Sequence, residues 1–137
     1  MKLSDLKVNS ARAEQGAWVG DIRDMPGVRF KARGFNNKDD KKVQERELEK
    51  IPKRRRLRGN VSADENRAIL NVRIREGLIT DWDGIVGDDD LPVPFTLEML
   101  DVFLTDPDYE KLRDAMIFAC SIVAEDDAEA DEGDAKN

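Results

Sequence analysis

Histidine is absent from this sequence, and cysteine occurs only once, at Cys120. Because there is no imidazole, the catalytic triads that use histidine as the general base are excluded. A single cysteine cannot form an intrachain disulfide or a cysteine zinc cluster, and no histidine is present to complete a mixed zinc site. The sequence therefore predicts no catalytic residues, no metal site and no cofactor, and it favours a reducing compartment.

Aromatic residues and long apolar runs are also scarce. Phe, Trp and Tyr make up 6% of the 137 residues, whereas apolar and charged residues each make up 39%. Such a composition supports one domain with a small and mostly aliphatic core. A membrane-spanning helix needs about 18 apolar residues in succession, and neither such a run nor a signal-peptide pattern is present. We expect a cytoplasmic protein that makes no contact with a membrane.

Charge is divided unevenly along the chain, whose net charge is −7. Residues 29–58 contain 13 Lys and Arg against 5 Asp and Glu, a net charge of +8. Residues 80–137 contain 3 Lys and Arg against 18 Asp and Glu, a net charge of −15. The sequence thus predicts a basic surface from its middle part and an acidic surface from its last part.

Alternating apolar residues predict a β-hairpin over about residues 17–33. The residues assigned to its apolar face are Trp18, Ile22, Val28, Phe30 and Ala32. Pro26 and Gly27 between the two runs are typical turn residues. Because a two-stranded hairpin is only marginally stable in water, we expect it to pack on helices.

Helical periodicity predicts four further elements, over about residues 38–51, 63–78, 97–104 and 107–124. Ser62 and Glu65 form a capping box at the start of the second helix. Thr96 caps the third, and Pro107 occupies the first position of the fourth. In the fourth helix Cys120 lies among apolar residues, which indicates a buried structural thiol.

These elements predict one α+β domain over residues 1–124. In it the N-terminal β-hairpin packs on a small bundle of about four helices. Residues 125–137 are too charged and too poor in apolar groups to bury a core. We therefore predict a disordered acidic C-terminal tail.

The densest basic cluster consists of Lys53, Arg54, Arg55, Arg56 and Arg58. Such a run can neutralise phosphates and release counterions, as nucleic-acid-binding proteins do. However, no aromatic residue is interleaved for base stacking, and the rest of the chain is strongly acidic. An acidic partner or the tail of this chain would satisfy the same cations. We interpret the run as a basic contact patch and regard nucleic acid as a less favoured partner.

Aspartates at positions 81, 83 and 88–90 suggest a calcium loop, but their spacing is wrong. In an EF-hand loop the oxygen ligands alternate, with Gly at position six and Glu at position twelve. Here Gly84 follows Asp81 too soon. We interpret these aspartates as a solvated loop.

Large apolar residues near this loop are candidates for binding a partner, because aromatic side chains often anchor interfaces. Trp82 and Phe95 flank loops, so the pattern leaves open whether they belong to the core or to a binding patch. Together with Leu97 they form the predicted partner-binding site. Phe103 and Tyr109 are expected in the core.

Several short motifs follow one another in a fixed order between residues 14 and 123. They are Gly16-Ala-Trp-Val19, Val28-Arg-Phe-Lys-Ala-Arg33, Asn36-Asn37, Ile79-Thr-Asp-Trp-Asp-Gly-Ile85 and Leu91-Pro-Val-Pro-Phe-Thr96. This order resembles small tail proteins of long-tailed bacteriophages, in particular the tail assembly chaperone group. The resemblance implies a non-enzymatic protein in the host bacterial cytoplasm. Its partner would be the apolar, helical tape measure protein, which it keeps soluble until tail tube subunits polymerise around it.

Other functions stay open at this point. A structural component of the virion, in the tail or at the head–tail junction, would share these features. An acidic inhibitor of a host nuclease is a further alternative, although the basic residues 29–58 argue against a continuous negative surface. A homo-oligomer is also open, because the edges of a hairpin can pair across subunits.

Overall fold

The computed structural model describes residues 1–125. They contain one small antiparallel sheet and six α-helices. The helices are α1 (Ser10–Gln15), α2 (Lys38–Glu49), α3 (Lys53–Leu57), α4 (Ala63–Arg73), α5 (Leu97–Thr105) and α6 (Glu110–Ile122). The strands are β1 (Ala17–Val19), β2 (Arg29–Ala32) and β3 (Ile79–Asp83). Single turns of 3₁₀-helix span Leu3–Leu6 and Pro107–Tyr109, and a π-helical turn spans Ile74–Leu78. The predicted α+β class is therefore confirmed.

The sheet has the order β1-β2-β3, so the predicted hairpin is present and gains a third strand. Sequence periodicity did not reveal β3, because its buried residues Ile79 and Trp82 are three positions apart. The register between β2 and β3 shifts after Lys31, where Thr80 has no partner. This bulge turns both Ile79 and Trp82 toward the core, although strict alternation would separate them.

The hairpin also differs from the prediction in the face that it buries. In β1 the core residue is Val19, opposite Phe30, whereas Trp18 is only half-buried. The guanidinium of Arg29 lies 4.7 Å from the centre of the Trp18 ring. The placement of Trp18 on the apolar face was wrong because β1 ends at Val19, so its alternation does not continue to Ile22.

Helices α5 and α6 cover the apolar face of the sheet. The core residues that they contribute are Leu100, Phe103, Leu104, Ala115, Met116, Ala119 and Cys120. Cys120 is 1% exposed, as the sequence predicted, and its burial raises the pKa of its thiol. None of the helices within residues 1–125 has the length and apolar character that crossing a bilayer requires.

Three features of the helices differ from the predicted elements. The predicted helix 63–78 divides into α4 and the π-helical turn, and the basic connector after Pro52 forms the short helix α3. A 3₁₀ turn precedes α6, with Pro107 at its first position as predicted. The predicted disordered tail lies outside the described residues, except for the exposed Glu125.

A buried ion pair joins α2 to α4. The Asp40 side chain is fully buried, and its two carboxylate oxygens accept hydrogen bonds from Arg73 Nε and Nη2 at 2.7 and 2.8 Å. Asp40 Oδ2 also accepts a hydrogen bond from the Asn36 backbone N–H at 2.8 Å. Asp40 thus has several donors in place of the water that burial removes, and α2 is held in register with α4.

Asn37 and Gly77 complete this junction. Asn37 Oδ1 accepts a hydrogen bond from the Asp40 N–H, and its Nδ2 donates to the carbonyl oxygens of Gly34 and Gly77. A Cβ atom on Gly77 would lie 3.0 Å from the Asp40 backbone. The π-helical turn therefore brings Gly77 against the first turn of α2, where only glycine fits without displacement.

Removing the cation from this junction should destabilise the fold strongly. We expect Arg73→Met to lower the free energy of unfolding by about 3 kcal/mol, because it leaves a buried carboxylate without its ion pair. The matched control is Arg67→Met, which removes an exposed pair with Glu110 and should change stability only slightly. Urea unfolding followed by circular dichroism measures both. Equal losses in the two variants would show that Asp40 does not depend on Arg73.

Gly84 lies at a second close contact, where β3 meets the turn between β1 and β2. Its φ is +83°, and a Cβ there would lie 1.9 Å from the Gly27 carbonyl oxygen. We expect Gly84→Ala to cost about 3 kcal/mol of stability, from backbone strain and from the clash together. Gly27→Ala has a similar φ of +81° but open space around the new Cβ, so it should cost only about 1–2 kcal/mol. If urea unfolding gave the same loss for both variants, the clash would not contribute.

Candidate partner-binding surface

Trp82 lies in the core and ties β3 to the loop between β3 and α5. Its side chain is buried, with 5% of the residue exposed, and its indole N–H donates a 2.8 Å hydrogen bond to the Val93 carbonyl oxygen. The centre of its ring lies 4.8 Å from the centre of the Phe95 ring and 5.2 Å from the centre of the Phe103 ring. Trp82 therefore supports this loop from inside the fold, and its own ring is not on the surface.

Tyr109 continues the aromatic cluster of Trp82, Phe95 and Phe103 toward the protein surface. Its ring centre is 5.0 Å from that of Phe103, but the residue is 39% exposed. The prediction that Tyr109 is a core residue was wrong, because Tyr109 lies in the 3₁₀ turn before α6 and so does not share the α-helical stripe. Phe103 is 3% exposed and belongs to the core as expected.

Hydrogen bonds fix the shape of the loop. The Gly87 N–H donates to the Leu91 carbonyl oxygen at 2.8 Å, and the Val93 N–H donates to the Ile85 carbonyl oxygen at 2.9 Å. The side chain of Asp89 accepts a 3.0 Å hydrogen bond from the Leu91 N–H. The loop is consequently a small hairpin-like structure with a defined backbone.

Three apolar side chains, two in the loop and one at the start of α5, face solvent. Val86 is 58% exposed, Leu91 is 63% exposed, and Leu97 in the first turn of α5 is 47% exposed. Leu91 also lines a groove of about 680 Å³, together with Pro92, Val93, Pro94, Thr96 and Met99. We call this region, Val86 to Met99, the loop–α5 surface. A groove whose apolar residues are bordered by polar and acidic ones suits an amphipathic helix of a partner.

Acidic residues surround the loop–α5 surface. Asp88 and Asp89 line the groove itself, and Asp90 and Glu98 are exposed beside it. Asp90 has a φ of +63°, which a tight turn requires of it. The described residues 1–125 contain no group of three Asp, Glu, His or Cys side chains that is arranged to hold a metal ion. These aspartates thus give the rim a negative charge.

The three predicted partner-binding residues lie in one region of the structure, although only Leu97 is exposed. Leu97 is exposed, Phe95 is half-buried against the core, and Trp82 lies beneath Phe95. Whether this region binds a partner stays a prediction. Val86 and Leu91 were missed, although apolar residues on both sides of the polar run 87–90 are the sequence signal for them.

The predicted basic contact patch is divided by the fold. Arg55 forms an ion pair with Glu65, and Arg56 Nε donates a 3.0 Å hydrogen bond to the Ile51 carbonyl oxygen. The other three residues, Lys53, Arg54 and Arg58, have no ion-pair partner within residues 1–125. Part of the basic run therefore stabilises α3 and the start of α4, and part of it remains for contacts outside the domain.

The ion pair of Arg55 predicts an unusual titration. Hydrogen bonds from the Arg55 side chain and the Ser62 backbone lower the pKa of Glu65 from 4.5 to about 2. Since the folded-state pKa is lowered, the contribution of Glu65 to stability is present above about pH 4.5 and is lost as pH falls toward 2. A carboxyl NMR titration should show this pKa, and Arg55→Gln should raise it toward its ordinary value. Identical titrations in both proteins would refute the assignment.

Comparison with protein families gives one match. The family model described as YdaY prophage protein matches residues 35–137, which include the whole loop–α5 surface and all helices from α2 to α6. The chain therefore belongs to the YdaY prophage protein family. No curated protein and no solved structure gives a match.

Proposed function

We propose that this prophage protein is a non-enzymatic tail assembly chaperone that binds the tape measure protein and keeps it soluble during tail assembly. Membership of a prophage protein family and the order of the motifs support a role in a phage. The observation that carries the proposal is the loop–α5 surface, where Val86, Leu91 and Leu97 are exposed and the loop is tied to the buried Trp82 through Val93.

Hydrophobic burial supplies the driving force for this interaction. Fully burying an exposed leucine contributes about 1.5–3 kcal/mol, and Leu91 and Leu97, which are already partly covered, each contribute a part of that. Several such contacts are needed to offset the entropy lost on association. The surface is already ordered by the Trp82 hydrogen bond and by the backbone hydrogen bonds of the loop. Binding therefore costs less backbone conformational entropy than it would for a flexible loop.

The charge around the surface suits a chaperone. A tape measure segment that exposes apolar helical surface tends to aggregate with other copies of itself. When it is bound here, the acidic residues 88–90 and Glu98 surround the contact, and like charges on neighbouring complexes repel. The acidic rim also favours a segment that carries basic residues beside its apolar face.

Single substitutions on the surface test the proposal. We expect Leu91→Glu and Leu97→Glu each to weaken binding of the prophage's tape measure protein at least about tenfold, because a buried charge replaces an apolar contact. The soluble yield of the co-expressed tape measure protein should fall accordingly. Binding is measured by co-purification and calorimetry with the full-length chain.

The matched control is Leu57→Glu on α3, where the side chain is 77% exposed and far from the loop–α5 surface in sequence. This variant should keep wild-type binding. If the tape measure protein is equally soluble with and without the wild-type chain, the proposal fails. Stoichiometric presence of the chain in purified mature particles would instead indicate a structural component of the virion.

A further inference from the structure

A second apolar feature lies at the N-terminal end of the described chain, in residues 1–9, which we call the arm. Leu3 and Leu6 are 79% and 63% exposed. They begin and end a turn of 3₁₀-helix, in which residues three positions apart lie on the same side. The arm therefore presents two adjacent leucine side chains to solvent on one face.

The arm leaves the fold beside the C-terminal end of α6. The Asn9 N–H donates a 2.8 Å hydrogen bond to the Ala124 carbonyl oxygen. The side chain of Asn9 accepts a 3.0 Å hydrogen bond from the Arg12 N–H and so caps α1. The attachment point of the arm is consequently fixed, while its leucines are exposed.

An apolar groove lies nearer the N-terminal end of α6. Its volume is about 500 Å³, and its apolar lining consists of Ile22, Met25, Ala115 and Phe118. Ile22 and Ala115 belong to the core, whereas Phe118 is 47% exposed. No residue of the arm lines this α6 groove in the described chain. An aromatic side chain exposed beside a concave apolar surface is a typical anchor for a protein contact.

The loop between β1 and β2 forms one wall of the groove. Two of its residues have an unusual backbone conformation. Asp21 and Asp24 have φ values of 51° and 63°, in the left-handed region that non-glycine residues rarely adopt. The Met25 N–H donates a 3.1 Å hydrogen bond to the Ile22 carbonyl oxygen and closes the turn between them. This conformation holds Ile22 and Met25 at the groove while both aspartate side chains stay exposed.

The arm and the groove carry opposite charges beside their apolar residues. Lys2 and Lys7 flank the leucines of the arm and have no ion-pair partner within residues 1–125. Asp5 lies between the leucines and accepts a 3.2 Å hydrogen bond from the Lys2 backbone N–H, so these three side chains together carry a net charge of +1. At the groove, Asp21 and Asp114 form no direct ion pair within residues 1–125, although Asp114 also attracts Arg67 and Arg113 of its own chain.

Other charges at the groove do not cancel this match. Arg23 lies 4.0 Å from Asp24, and both side chains are almost fully exposed, so their interaction is weak. The groove is also lined by Lys111, and the charged residues of its lining together carry a net charge of −1. Long-range attraction between the arm and the groove is therefore favourable, and it places the leucines against the apolar lining.

We propose that the arm of one copy of this chain docks into the α6 groove of a second copy, and that the exchange is reciprocal. A two-fold pair of chains uses both features of each chain, so two arms and two grooves are buried together. Leu3 and Leu6 meet Phe118 and Met25, and Lys2 and Lys7 lie near Asp21 and Asp114. This dimer does not depend on the loop–α5 surface.

Sedimentation velocity of the full-length protein over a concentration series tests the proposal. The wild type should dimerise, and Leu6→Glu and Phe118→Glu should each raise the dimer dissociation constant at least about tenfold. Leu57→Glu, an equally exposed apolar position on α3, should leave it unchanged. A wild type that stays monomeric, or a dimer that neither variant weakens, would overturn the proposal.

Mixing the two variants provides a sharper test. A Leu6→Glu chain keeps an intact groove, and a Phe118→Glu chain keeps an intact arm, so one correct contact forms in the mixed pair. The mixture should therefore associate more tightly than either variant alone. Absence of this complementation would contradict reciprocal exchange.

Disulfide trapping distinguishes docking of the arm into a second copy from docking into the groove of its own chain. Chains with Leu6→Cys and chains with Phe118→Cys, mixed and oxidised, should give a disulfide-linked dimer joined through positions 6 and 118, because Cys120 is buried. A chain carrying both substitutions that links within itself at monomer mass would overturn the proposal. Leu91→Glu should keep the dimer, so loss of chaperone activity and loss of dimerisation are separable.

Discussion

The hydrogen bond from the Trp82 indole to the Val93 carbonyl oxygen connects the core to the loop that carries the candidate binding surface. On one side, Trp82 pairs with Phe30 in the sheet and packs against Phe103 of α5, so it belongs to the core. On the other side, it holds the loop whose apolar residues face solvent. A buried tryptophan needs a partner for its N–H, and here that requirement fixes an external surface from within.

The junction of Asp40 with Arg73 supplies the complementary constraint on the helices. A buried carboxylate is stable only when charge and hydrogen bonds replace its water, so α2 has little freedom to shift against α4. Gly77 allows the close approach that this geometry needs. The π-helical turn is followed directly by β3, and Trp82 lies three residues after the first residue of the strand. The ion pair thus helps to place the residue on which the loop depends.

Local signals explain which parts of the fold were predictable from the sequence. Caps and helical spacing identified the main helices, because residues such as Ser62 and Thr96 act within one turn of the chain. β3 was missed because a bulge at Thr80 is set by pairing with β2, which is distant in sequence. In the candidate site, Leu97 and Phe95 could be proposed from the sequence, whereas the exposure of Leu91 depends on how the loop folds back on itself.

The family match includes the loop–α5 surface but not the arm, and it includes only part of the α6 groove. The matched residues 35–137 contain the whole loop–α5 surface, including Trp82 and Leu97. The arm and the loop wall of the α6 groove, with Ile22 and Met25, precede the matched part. Partner binding as proposed here uses residues inside the family match, whereas self-association needs residues before it. Dimerisation of this chain is therefore a property that other members of the family need not share, even if they bind the same kind of partner.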